Sequence, residues 1–181
     1  MSQTIRLRVL IDTEGDNNVF RDIEMLSNAT FEDFHIAIQN AFNFDNSQMA
    51  SFYESDDTWE RGNEIMLMDM SMDEKQKVRL MKDLQLKDIL TKSENKMLYI
   101  FDFLVMWTFF VEVVSLGTKE AETNYPAILL SVGDAPSQDS KSAEDLFGAM
   151  KSEKIGGEED DEEDDEFGSF SDFGNDEYPS Y

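Results

Sequence analysis

The chain has 181 residues, 40 % of them hydrophobic and 12 % aromatic, no cysteine, and a formal net charge of −25. Without cysteine there can be no disulfides, thiol nucleophiles or cysteine-ligated zinc and iron–sulfur centres. A negative field of this size repels nucleic-acid phosphate and anionic membranes, so basic proteins or cations are the natural partners.

The N-terminal residues Met1 to Arg6 show no charged-then-apolar leader. Together with the missing cysteines this fits a cytoplasmic protein. Ile5, Leu7, Val9 and Ile11 alternate with Arg6, Arg8 and Leu10, the period-two signature of a half-buried strand. Asp12 to Asn18 is turn chemistry, and Val19, Arg21, Ile23 and Met25 then alternate with Phe20, Asp22 and Glu24. Two strands about a polar turn predict an opening antiparallel hairpin. Thr30 followed by Asp33 has the spacing of a capping box, and Phe31, Phe34, Ile38, Ala41 and Phe42 lie on one face of the helix it starts.

Met49 to Tyr53 and Glu64 to Met68 read as short strands, and Val78 to Met81 could extend a strand. Leu84 to Leu90 reads as one or two helical turns. Met97 to Phe103 and Trp107 to Ser115 carry the strongest strand signals, being aromatic and β-branched. They account for the apolar run Leu98 to Val114 without a membrane span. Ala127 to Val132 is a last ordered element. The order β-β-α-β-β-β-β predicts an α+β fold, a largely antiparallel sheet with one main helix packed on it, compatible with a β-grasp-like arrangement.

After Gly133 the composition changes. Residues 1–133 hold 23 acids and 12 bases, whereas residues 134–181 hold 17 acids and 3 bases. The chain therefore divides into an α+β domain, 1–136, and an acidic, aromatic-containing tail, 137–181, expected to be mostly disordered. Within the tail, 142–150 could form a short amphipathic helix bearing Leu146 and Phe147. Glu158 to Glu166 is an unbroken acidic run, and Phe167, Phe170 and Phe173 follow it.

Several segments in order resemble the plasmid pRiA4b ORF-3-like family, also catalogued as an insertion-element passenger protein and hence associated with mobile elements. They are Ile5-Arg-Leu-Arg-Val9, Phe20 to Glu24, Ala29-Thr30-Phe31, Phe34 to Phe42, Phe44 to Ser47, Phe52, Tyr99 to Phe103, Trp107 and Tyr125-Pro126. The resemblance implies the same fold over roughly residues 4–137 and no assigned activity. It also implies polar positions that this chain lacks. No histidine stands near Met49 to Ser51. The family's Asp-Phe-Gly-Asp-Asp-Trp-x-His stretch reads Asp102-Phe-Leu-Val-Met-Trp107-Thr-Phe109. Its cysteine-rich segment after Tyr-Pro reads Ala127 to Pro136.

The residues that could carry chemistry are few. His35, the single histidine, sits on the predicted helix beside Phe34 and reads as a packed helical residue. Asp12, Glu14, Asp16 and Asn18 have alternate-oxygen spacing, but Asn17 replaces the glycine of a calcium loop and Ile23 its closing acid. Asp56, Asp57, Glu60 and Glu64 read as a solvated acidic loop. No catalytic group, cofactor site or metal site is predicted.

The first functional reading is a non-enzymatic interaction module. Its acidic-aromatic tail would bind a basic partner or fold back on the basic segment Lys75 to Lys96, using Phe167, Phe170, Phe173, Leu146 and Phe147, with Trp59 as an exposed contact on the domain. Two alternatives stand beside it: an enzyme with a carboxylate-containing pocket near Asp102 and Trp107, and a nucleic-acid mimic working through the acidic run.

Overall fold

A computed structural model describes residues 3–13, 18–70, 77–93 and 95–142. The opening alternation folds as the hairpin β1 (Gln3–Ile11) and β2 (Val19–Leu26), with Leu7 opposite Ile23 and Val9 opposite Arg21. Glu14 and Asp16 of its turn lie outside the described residues. β3 (Ala50–Ser55), β4 (Glu64–Met66), β5 (Lys96–Phe101), β6 (Trp107–Thr118) and β7 (Ala127–Val132) complete one seven-stranded sheet in the order β4-β3-β5-β6-β1-β2-β7. All six ladders are antiparallel.

Helix α1 (Phe31–Phe42) crosses one face. Its start is fixed by the predicted capping box: the Asp33 amide donates to the Thr30 hydroxyl and the Thr30 amide to the Asp33 carboxylate. Asn43, in the left-handed region at φ 59°, ends it. Phe31, Phe34, Ile38, Ala41 and Phe42 are all buried. Phe34 stacks on Phe52 of β3 at 5.4 Å, and Phe42 meets Phe109 of β6 edge-on at 5.1 Å. Each fully buried large apolar side chain contributes about 1.5–3 kcal/mol, so this aromatic layer is what binds helix to sheet.

The sequence-based assignments differ from the structure at particular points. Val78 to Met81 makes a single parallel bridge, Met66 to Leu80, and then a 3-10 turn over Met81–Asp83. The Leu84 to Leu90 helix is the short α2 (Leu86–Ile89). β5 stops at Phe101 because Asp102 turns the chain at φ 57° and accepts the Met106 amide on its carbonyl. The ordered element at 127–132 is a seventh strand. No helix among the described residues is long and apolar enough to cross a membrane. The acidic run and residues 143–150 of the 142–150 helix candidate lie outside the described residues.

Candidate interaction surface

Several buried polar groups among the described residues are tied into the fold by hydrogen bonds. Beneath α1, the Gln39 amide donates to the Tyr99 hydroxyl at 2.8 Å, and that hydroxyl lies 2.7 Å from His35 Nδ1. The hydroxyl accepts from Gln39 and also exchanges a hydrogen bond with Nδ1, whose direction follows the imidazole tautomer. Nε2 is buried without a hydrogen-bond partner. Burial lowers the His35 pKa, against a smaller opposing effect of the Asn46 side chain, and burial pushes the Tyr99 phenol far up. Both groups are therefore neutral near pH 7, and the Phe52 and Phe109 rings pack at a tilt against Tyr99.

On the opposite face Asp22 is fully buried yet receives Arg6 at 2.6 Å and Arg8 at 2.8 and 3.0 Å. Burial alone would raise its pKa; the hydrogen bonds from Arg8 and Arg6 outweigh that and hold it below the usual carboxylate range. Arg21 points to the helix side. It has no carboxylate partner among the described residues and donates instead to the carbonyls of Ala41, Phe20 and Val132. These bonds tie strand to strand and helix to sheet.

The residues singled out from sequence do not converge. Trp59, expected as an exposed contact, is half-buried on the face away from α1. Its ring meets Phe110 edge-on at 4.9 Å, with the Lys96 ammonium 5.2 Å above it. Asp102 is a turn residue whose carboxylate accepts the Leu104 amide. Trp107 is buried, its indole donating to the Gln138 carbonyl with the Lys141 ammonium 4.4 Å over the ring. Of the basic segment, Arg79 pairs with Glu54 and Lys96 with Asp57. Leu146, Phe147, Phe167, Phe170 and Phe173 lie outside the described residues. No cluster of metal-binding side chains occurs among the described residues.

What sequence reasoning missed is an edge. β7 has only β2 as a neighbour among the described residues. A bulge at Asp22/Ile23 leaves Leu129 between Ile128, which pairs with Ile23 on the helix side, and Leu130, which pairs with Asp22 on the other. Ile128, Leu129 and Leu130 are 51 %, 48 % and 41 % exposed. Edge strands of soluble proteins are usually blunted by charge or proline, and nothing in Ala127–Val132 does so. Beside the start of β7 is a cavity of about 340 Å³, walled by Met25, Ala29, Tyr125 and Pro126, with Asn28 and Asp33 among its polar residues.

The sequence profile of the plasmid pRiA4b ORF-3-like proteins matches residues 3–178. The chain belongs to that family. The family match continues past Ser142, so the acidic segment falls within it. Ala29 and Tyr125-Pro126, from two of the segments quoted above for the resemblance, meet at the cavity beside β7. Among solved structures, a protein of unknown function, MM3350 from Methanosarcina mazei Go1, is similar to this family member: TM-score 0.66, 20 % identity, covering 85 % of this chain and 83 % of that one. At that identity the likeness concerns the fold. No curated protein matches.

Proposed function

We propose that this pRiA4b ORF-3-like protein is a non-enzymatic interaction module that recruits a basic protein through its acidic C-terminal segment. The observation that carries the reading is the charge partition. The 48 residues after Gly133 hold a net −14, directly following an uncharged apolar edge strand. Dense charge of one sign attracts an oppositely charged partner at long range, and the tail phenylalanines supply the short-range burial that charge alone lacks. Among the described residues, the buried Asp22, His35 and Tyr99 each make a hydrogen bond within the fold.

The test is capture from lysate with the full chain and with a chain ending at Ser142. The expected result is a set of basic proteins held by the full chain, released at moderate salt, and absent from the shortened one. Identical sets from both would refute a role for the acidic segment.

A further inference from the structure

We infer that the outer edge of β7, together with the cavity at its start, is the docking site for an extended, basic, strand-forming segment of that partner. The inference rests on the interaction-module reading and locates it on the folded domain. Three observations carry it.

First, among the described residues β7 has a strand neighbour on one side only, and exposed apolar side chains stand on both of its faces, with Ile128 toward α1 and Leu130 toward the opposite face. This is the arrangement used when an extended peptide adds a strand to a sheet: main-chain hydrogen bonds supply affinity and alternate side chains supply specificity.

Second, the charge selects the occupant. A second copy would bring another −25 to the edge, whereas a basic segment is attracted to it.

Third, the cavity is of a size and lining for one long cationic side chain. At about 340 Å³ it lies at the small end of the range for ligand pockets. Asp33 is exposed at this cavity. Both of its capping bonds, from the Thr30 amide and the Thr30 hydroxyl, fall on Oδ2. Oδ1 has no hydrogen-bond partner among the described residues and faces an incoming ammonium or guanidinium. The positive end of a helix dipole amounts to about half a charge, and Glu32 and Asp33 in the first turn exceed it, so a cation is favoured there. A partner strand lying along β7 would place its apolar residues against Ile128 and Leu130 and a lysine or arginine, at its Pro126 end, in the cavity.

The experiment is calorimetric titration of the full chain with a short synthetic peptide alternating lysine with valine, followed by hydrogen exchange of the complex. Binding should protect amides of 127–132, and a counterpart alternating glutamate with valine should not bind. Leu130→Lys, at an exposed position, should weaken binding about tenfold or more. Asp33→Asn, which keeps an acceptor for the cap, should weaken it about two- to fivefold, the range of an exposed ion pair. Circular dichroism of each variant establishes that it is folded. Binding that ignores Leu130→Lys but disappears when the chain ends at Ser142 would overturn the docking inference and leave the interaction-module reading standing. No binding by the full chain would overturn the docking inference; if the lysate capture also yields no basic protein, both fail. A concentration-dependent dimer abolished by Leu130→Lys would overturn it in favour of a second copy.

Discussion

Arg21 is a cation in the apolar core that ties three elements together, and replacing it with methionine should loosen β7 before the rest of the sheet. The side chain is 6 % exposed. It donates to Ala41 at the end of α1, to Phe20 on β2 and to Val132 on β7, at 3.2, 2.9 and 2.8 Å, and its guanidinium lies 5.0 Å from the Phe42 ring. Hydrogen bonds from a charged donor are worth about 1.5–3 kcal/mol each. The cation over the ring adds about 1 kcal/mol, and the charge at the C-terminal end of α1, where the last turn has no base of its own, about 0.3–1 kcal/mol. Methionine refunds the several kcal/mol spent on desolvating the guanidinium. The balance is a loss of about 2–4 kcal/mol in urea unfolding followed by circular dichroism, at unchanged m-value. Arg21→Lys, a point charge that cannot serve three carbonyls at once, should lose most of the same amount. Native-state hydrogen exchange should then show β7 amides opening at lower free energy than those of β5 and β6. A loss below about 0.5 kcal/mol, within the range of an ordinary surface substitution, would refute this reasoning, as would exchange rising equally across the sheet.

Three further outcomes are expected. His35 has a depressed pKa when folded, so the unfolded chain binds its proton more readily and stability should decline as pH falls below about 6.5. His35→Gln should flatten denaturation midpoints across that window, and an unchanged slope would contradict the assignment. Asp22 is also depressed, so its contribution is present above about pH 3.9 and is lost as pH falls further. Asp22→Ala should cost about 1–3 kcal/mol at neutral pH, less than a fully buried pair because Arg6 and Arg8 are 35 % and 42 % exposed and can rehydrate. Gly133 ends β7 at φ +72°, and a Cβ there would lie 2.9 Å from Val19 Cγ2 and 3.0 Å from the Asn18 carbonyl oxygen. Gly133→Ala should therefore destabilise by about 1–3 kcal/mol in thermal unfolding, and a neutral result would show that the turn relaxes freely.

Local chemistry made the hairpin, the capped helix and the β5–β6 pair legible in the sequence, since each is specified by alternation, a three-residue cap or a helical stripe. The sheet order is set by pairings far apart in the chain, such as Val9 with Val111, and no local pattern reveals them. Exposure of β7 follows from that order: its Ile-Leu-Leu run reads as core until its place at the edge is known. The cavity joins Ala29 and Asp33 to Tyr125 and Pro126, nearly a hundred residues away, and was likewise invisible. Arg21 did leave a signal, since it falls in phase with Val19, Ile23 and Met25 on the apolar side of β2. Trp59 looked like a loop contact, but at φ 59° the loop folds its ring back onto Phe110.

The most direct test of the central claim is zero-length carbodiimide cross-linking of the full chain with the basic protein it captures, since that chemistry joins carboxylates to lysines in contact. The account predicts links from acids in 134–181, and from Asp33 beside β7, to lysines of the partner. Links confined to acids elsewhere on the domain, or none at all, would contradict it.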